Sequence, residues 1–451
     1  MGTHAKLMTR GSIHKNLIYF AIPLSIGTLS QQLYNTADSL VVGNFVGREA
    51  LAAISSTASL VFLTIGVFQG LFVGAGVRIS ILYGAQDHEG LKKAVHTSVA
   101  FALLCSLFFT VFGYIFAPLF LTWMGTPGNV FADANTYVRI YFLGVSALIL
   151  YNAASGILQA VGDSRHPLYF LMTASVLNIL LDLVLVGYFK LGIAGAAYAT
   201  IFSQSVSAFL AFRLLFTTDD VVRVELKNIR FHTGHITKIL RIGVPSGIQN
   251  SVTSLANIVV QASVNLFGAA AMAGSGSFMR IQGFAFIPVT SFALALTTFT
   301  GQNLGARQID RVRKGTRFGV LFSMILAESL GLLLYYYAEP LLSLFSRDPA
   351  VIAVGVQKAQ ISTMFIMPLA LSHVMAGIFR GAGKSMVPMS VMLACWCIFR
   401  VIYIKVALSV LMDIRVVFWA YPITWSMSAV IFIIYYFSTD WMGSRKQKAK
   451  A

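Results

Sequence analysis

The stretch Gly-Ile-Leu-Gln-Ala-Val-Gly-Asp-Ser-Arg-His-Pro, residues 156–167, returns 221 positions later as Gly-Ile-Phe-Arg-Gly-Ala-Gly-Lys-Ser-Met-Val-Pro, residues 377–388. Gly156-Ile157, Gly162, Ser164 and Pro167 meet Gly377-Ile378, Gly383, Ser385 and Pro388. The same shift lays Gly47 on Gly268, Gly84 on Gly305 and Ala85 on Ala306, and Pro23 meets Pro245 one residue out of step. One offset holding across so many punctuating residues marks a duplicated unit. Between these marks lie long apolar runs. A bilayer-spanning helix needs ~20 mostly apolar residues, and such runs fall near 16–43, 51–82, 94–117, 132–158, 168–188 and 194–216. A second set falls near 236–264, 270–303, 315–337, 353–379, 386–410 and 414–438.

The pattern predicts an all-α membrane protein, with 12 transmembrane helices in two pseudo-symmetric six-helix bundles around a central cleft. Six spans is an even number, so both halves enter from the same side and their axis runs along the membrane normal. Segments 51–82 and 270–303 exceed the bilayer and are expected to tilt or project from it. The expected divisions are a cytoplasmic N-terminal segment 1–15, bundles 16–216 and 236–438, a cytoplasmic linker 217–235 and a basic tail 439–451.

Composition agrees. Of 451 residues 57% are hydrophobic and only 11% charged, too few to cover a soluble domain of this size. The net charge of +17 invites a nucleic-acid partner, but the basic residues sit in short segments between apolar runs, as membrane topology requires. With the N-terminus inside, the inner segments hold Lys6, Arg10, Lys15, Lys92, Lys93, Arg165, the cluster Arg213 to Arg241, Arg307 to Arg317, Arg380, Lys384 and Arg445 to Lys450. The outer loops and helix ends keep Arg48, Arg139, Lys190, Arg347, Lys358 and Arg415. This bias predicts a multi-pass plasma (inner) membrane protein with both termini cytoplasmic. No cleavable signal is expected, because the first apolar run is too long for a signal core. Cys105, Cys395 and Cys397 lie in apolar runs and read as packing residues.

Charge placed in lipid is where chemistry is expected. Of 16 acidic residues only Asp38, Asp182 and Glu328 lie well inside predicted spans. Each such acid costs ~2.5–3.5 kcal/mol on insertion scales, so membrane acids are seldom idle. The first and fifth helices both run outward, and Asp38 and Asp182 lie in their outer halves. Asn178 precedes Asp182 by one turn and shares its face, and Thr200 is about two turns into the sixth helix. These four can meet at one depth. Two carboxylates and two neutral oxygens can strip water from Na⁺, or the carboxylates can share a proton. The bland alternative is a pair of packing acids bonded to Asn and Tyr. In the second half Asn178 becomes Phe399, Asp182 becomes Tyr403, Thr200 becomes Tyr421 and Asp38 falls on Val259 or Val260. The repeat kept its glycines and lost its acids.

Other candidates are less sharply marked. Gln31, Gln32, Tyr34 and Asn35 share the helix of Asp38, and Tyr137, Tyr141 and Asn152 lie on the fourth helix. Pro23 and Pro245 each remove a helix hydrogen bond and are candidate hinges. Glu328 stands alone at its depth and is expected to pair with Arg400 or to face a groove. Arg400 meets either an anionic substrate or a structural partner. Lys405 is expected to snorkel. His373 either titrates near neutral pH or packs with a hydrogen bond. The aromatics, 13% of the chain, suit an apolar cleft for flat cations as well as ordinary packing against lipid.

Read together, several of these pieces resemble the multidrug and toxic compound extrusion (MATE) transporters over nearly the whole length. They are Ile22-Pro23, Tyr34-Asn35-Thr36-Ala37-Asp38-Ser39-Leu40-Val41-Val42-Gly43, Ala50-Leu51-Ala52, Tyr83-Gly84-Ala85, Gln159 to Pro167, Val176 to Asp182 and Gly301-Gln302-Asn303-Leu304-Gly305-Ala306. Acids in the first and fifth helices are similar to the DNA-damage-inducible branch. The resemblance implies export of drugs or metabolites against an H⁺ or Na⁺ gradient. It implies a cation site at Asp38, Asn178, Asp182 and Thr200, and favours Tyr137 and Asn152 beside Gln31, Tyr34 and Asn35 in the substrate cleft. No Asp or Glu occurs in the seventh, eighth or tenth helix, which argues against a second cation site that some branches carry.

The expected activity is therefore a secondary antiporter for cationic or amphipathic small molecules, working by alternating access. It is expected to be monomeric, with lipid and small-molecule partners, no nucleic acid, and no cofactor beyond the coupling ion. A lipid-linked saccharide flippase shares the fold but wants a strongly basic cleft. An intramembrane enzyme wants His-Glu-x-x-His or Gly-x-Ser-x-Gly with a His in a span, and neither occurs. There is no Gly-x4-Gly-Lys-Ser/Thr phosphate loop. A non-transporting scaffold leaves the paired acids unexplained.

Overall fold

A computed structural model gives the fold. It describes residues 5–443, without the side chains of 39, 48–56, 58, 59 and 62. The basic tail Arg445 to Lys450, the outer Arg48, and Ser39 and Ala50-Leu51-Ala52 of the motifs lie outside what is described. The described residues form helices and no strand.

The first half holds α1 (Ile13–Phe45), α2 (Arg48–Gly84), α3 (His88–Trp123), α4 (Gly128–Ala160), α5 (Arg165–Asp182) and α6 (Gly192–Thr217). The second holds α7 (Thr233–Asn265), α8 (Ala269–Gly305), α9 (Ile309–Tyr336), α10 (Ala338–Ser343), α11 (Pro349–Thr363), α12 (Ile366–Gly381), α13 (Met386–Met392), α14 (Arg400–Val410) and α15 (Ile414–Ser438). Helix α5 runs on into a π-helical turn, Leu183–Tyr188, and another π-helical turn, Leu393–Phe399, joins α13 to α14.

One predicted span is not a single helix. The run 353–379 is α11 and α12, bent by 58° at Met364 and Phe365. Pro368 explains the break: it lacks an N–H, and its ring clashes with the carbonyl four residues back, which is that of Met364. Among the described residues nine helices are long and apolar enough to span a membrane, or ten with the bent pair counted as one span. The chain is a multi-pass membrane protein. Helices α1 and α7 complete twelve but carry too much polarity to pass that test. Ser25, Gln31, Gln32, Asn35 and Asp38 sit on α1; Ser246, Gln249, Asn250, Thr253 and Gln261 sit on α7.

The duplication is visible in the packing. A shift of 221 lays α2 on α8, and α4 on α11 and α12. A Cβ on Gly156 would lie 3.2 Å from the Phe72 carbonyl oxygen, and one on Gly377 would lie 2.5 Å from that of Ala293. The shift maps both members of the first pair onto the second. Small residues at these crossings let backbones approach, which is how membrane helices gain contact without a hydrophobic drive between them.

By internal contacts the chain divides into two compact units. One takes Met1–Leu7 and Pro23–Gly243, the other Met8–Ile22 and Val244–Ala451. The boundaries fall at Pro23 in α1 and just before Pro245 in α7. In the first unit Val222 and Val224 of the polar linker are buried in the hydrophobic core. The Lys6 amide donates to the Val161 carbonyl at 2.9 Å. Gly162 must be glycine here, because its φ is +89° and a Cβ would meet the Lys6 oxygen at 2.2 Å. In the second unit Gln302 accepts from the Met8 amide at 2.8 Å, and Arg311 donates to the carbonyls of Met8 and Arg10.

Candidate functional site

Gln31, Tyr34, Asn35 and Asp38 follow one another at helical spacing and share one face of α1. With Tyr137 and Tyr141 of α4 and Thr200 and Gln204 of α6, that face lines a cavity of about 70 Å³ inside the first unit. Asp182 is the last residue of α5, fully buried where the helix widens into its π turn. Such turns insert a residue and often accompany functional sites.

The carboxyl groups of Asp38 and Asp182 stand within hydrogen-bonding range of each other. Asp38 Oδ1, both carboxylate oxygens of Asp182, Asn178 Oδ1 and Gln204 Oε1 are buried with no hydrogen-bond partner. Asn178 Nδ2 donates to Thr200 Oγ1 at 3.5 Å, and that hydroxyl donates to the Ala196 carbonyl at 3.0 Å. The Thr200 oxygen therefore keeps one lone pair to offer. Gln204 Nε2 donates to the Tyr34 hydroxyl at 3.2 Å. Tyr137, buried, lies within electrostatic reach of both acids. Among the described residues no Lys, Arg or His pairs with either acid.

This is a nest of acceptors short of donors. Buried carboxylates left bare are costly, and two side by side call for a proton or a cation between them. Oxygen donors of this kind suit a hard ion. The cavity is far below the roughly 300–1,000 Å³ of ordinary small-molecule sites, so it fits an ion and a few waters, not a drug-sized cargo.

The four predicted site residues come together. Gln31, Tyr34, Asn35 and Tyr137 line the same cavity, as does Tyr141. Asn152 does not; its amide donates to the Leu148 carbonyl one turn back, at 2.8 Å. Gln204 went unnoticed in the sequence, although it follows Thr200 by four residues and so shares its face.

The MatE family model matches the chain twice, over residues 23–184 and 245–406. The chain belongs to the MATE family. The two matches span the two halves of the duplication, one after the other. This MATE chain is 29% identical over 440 residues to the probable multidrug resistance protein YoeA of Bacillus subtilis, covering 95% of this chain and 94% of that one. It is 25% identical over 382 residues to the probable multidrug resistance protein NorM of Thermotoga maritima, covering 84% and 82%. It is 28% identical over 346 residues to an FAD transporter of Shewanella oneidensis, covering 75% and 76%. In fold it matches a crystal structure of MATE in the bent conformation with a TM-score of 0.92 at 22% identity, over 100% of both chains. The fold is the twelve-helix, two-lobe MATE fold, and the chain is a transporter of a drug-extrusion family.

In the second half the pairing of Glu328 with Arg400 and the outer placement of Lys358 are corrected, and the other candidates are placed as follows. Glu328 and Arg400 do not pair. Arg400, 1% exposed, donates through Nε and Nη2 to Thr424 Oγ1 at 3.1 and 2.6 Å, and packs on the rings of Trp396 and Tyr421. Glu328 lies on α9 with its buried Oε2 unpartnered. His373 packs its ring against Phe286 and Trp396. Lys358, assigned from the sequence to an outer helix end, is 2% exposed on α11. Counting charges by segment placed it with the loop, whereas the face of α11 that carries it is turned into the bundle. The hinge candidates Pro23 and Pro245 lie within α1 and α7, one in each half.

Proposed function

We propose that this MATE chain is a secondary antiporter, exporting cationic or amphipathic organic molecules in exchange for H⁺ or Na⁺ by alternating access. The observation that carries the reading is the buried pair Asp38 and Asp182, whose unpartnered oxygens have no cationic side chain to answer them. Asp38, Asn178, Asp182 and Thr200 would hold Na⁺ through four oxygens; alternatively Asp38 and Asp182 would hold the proton between them. In either case the loaded pair is neutralised in part, and the charge it carried in a low-dielectric setting falls. That change is the free energy available to bias one state of the transporter over the other.

The 70 Å³ cavity lined by Gln31, Tyr34, Asn35 and Tyr137 is too small for the whole cargo, so these residues would offer polar contacts to cargo only in a state where the cavity widens, with Asn152 a further candidate. Pro23 and Pro245 are proposed hinges, since the boundaries between the compact units fall at them. The charge bias supports a location in the plasma membrane with both termini cytoplasmic. The multidrug names of the relatives support export of organic compounds.

Inverted membrane vesicles test this. An imposed pH or Na⁺ gradient should drive dye transport in wild type, and only one of the two gradients should suffice. Asp38→Asn and Asp182→Asn should each lose the gradient response. Unchanged gradient-driven transport in both variants would falsify the assignment, and transport that answers to ATP alone would remove the antiporter reading.

A further inference from the structure

The second unit contains the opposite of the first unit's site. Lys358 on α11 and Arg400 at the start of α14 are both buried, at 2% and 1% exposure. Lys358 Nζ donates to Ser275 Oγ at 2.8 Å, and Arg400 donates to Thr424. Both cations lean on one ring: Lys358 Nζ lies 5.3 Å and Arg400 Cζ 4.7 Å from the centre of Tyr421. They are therefore no farther apart than those two distances together. The Tyr421 side chain is itself 8% exposed, and its hydroxyl has no hydrogen-bond partner. Among the described residues no Asp or Glu pairs with Lys358 or Arg400.

The duplication gives these positions meaning. At the shift of 221, Lys358 falls on Tyr137 and Tyr421 on Thr200, both of which line the acidic cavity. Arg400 lies one turn before Tyr403, the counterpart of Asp182. The same corner of the repeat thus gathers carboxylates in one unit and cations in the other. Two hydroxyls and the three rings of Trp396, Phe418 and Tyr421 solvate an ammonium and a guanidinium in part but cannot neutralise them. The unused N–H groups of Lys358 and Arg400 and the free Tyr421 hydroxyl are all donors. Such a set is matched by an acceptor of negative charge.

We propose that Lys358, Arg400 and the Tyr421 hydroxyl form an anion site within the second unit. Its ligand is a small anion, either a free inorganic ion or the acidic group of an organic molecule. The site stands on this geometry and does not depend on the antiport reading, which concerns the other unit.

Purified full-length protein in nanodiscs tests it, through tryptophan fluorescence and the thermal midpoint. Trp396 packs on Arg400 and Trp425 on Tyr421, so both report on the site. Titrations use chloride and phosphate in one arm and acetate and benzoate in the other, with ionic strength held by a bulky gluconate salt. Wild type should show a saturable change in at least one arm. Response to inorganic ions identifies a resident ion, and response confined to the organic acids identifies a cargo group. In Lys358→Met and Arg400→Gln the half-saturating concentration should rise about tenfold or more, the scale of losing a charged hydrogen bond. Tyr421→Phe should weaken binding less while keeping the fold. No saturable response of wild type in either arm overturns the proposal, with no variant needed. So does a response that all three variants retain.

Discussion

Asp38 near the end of α1 and Asp182 at the end of α5 face each other carboxyl to carboxyl, with three of their four oxygens buried and unpartnered. A fold has no use for such a contact on stability grounds. It follows that Asp182→Asn, which replaces one of two confronted acids by a neutral amide able to donate to Asp38, should stabilise the protein. The scale is that of satisfying a buried polar group, about 1–3 kcal/mol. Thermal unfolding in nanodiscs at neutral pH measures it, alongside the loss of coupling expected above. A midpoint lowered by the substitution would mean that the pair serves packing.

Thr424 takes two hydrogen bonds from Arg400 on a single oxygen. Thr424→Val keeps the shape and removes the acceptor, leaving two N–H groups of a buried cation bare. A loss of about 1.5–3 kcal/mol is expected for such bonds, and Thr424→Ser should restore most of it. Equal stability of the Val and Ser variants would show that Arg400 has another partner available.

Helix crossings give a paired prediction. A Cβ at Gly377 would sit 2.5 Å from the backbone oxygen of Ala293, whereas Gly276 has nothing within 4 Å. Gly377→Ala should force α12 away from α8 and cost about 1–3 kcal/mol, as overpacking does. Gly276→Ala should be neutral or slightly stabilising, since alanine is the better helix former. The difference in folded yield and thermal midpoint between the two variants is the readout.

The linker should respond to pH. Its Glu225 carboxyl is held below its ordinary 4.5 by hydrogen bonding to Lys92, which lies 3.1 Å away. Burial, with Arg230, Lys93 and His96 nearby, holds the His232 imidazole below its ordinary 6.5. For His232 the docked linker favours the neutral ring and the undocked linker takes up the proton first. Its contribution is therefore full above 6.5 and declines as pH falls from there through the lowered value. The contribution of Glu225 is full above 4.5 and is lost as pH falls through its depressed value. Limited proteolysis of residues 217–235 should quicken between about pH 7.5 and pH 5.5, and His232→Gln should flatten that step. Cleavage at one rate across the range, after correction for the protease's own profile, would reject it.

Much of the acidic site was legible because helical arithmetic governs it. Gln31, Tyr34, Asn35 and Asp38 share a face by spacing alone, and Asn178 lies one turn from Asp182. The cationic site was not legible in the same way. Lys358 stands in a segment rich in small and polar residues close to the loop before α11, where a lysine ordinarily reaches water. Only the packing of α11 against α8 and α15 turns it inward to Ser275 and the Tyr421 ring. The break between α11 and α12 was likewise hidden, although Pro368 marks it, because the apolar run continues across it.

Apolar run length, the placement of basic residues and one offset of 221 residues were enough, without coordinates, to determine a duplicated helical membrane protein and to single out the acids inside its helices. These are properties of a chain in lipid, where every span must satisfy its own backbone and every charge is costly. Tertiary structure alone decided which side chains answer which. It set Asp38 against Asp182, sent Arg400 to Thr424 instead of Glu328, and joined Lys358 to Arg400 through one tyrosine. Such pairings depend on how helices rotate and cross, and side-chain contact between distant segments leaves no periodicity in the sequence.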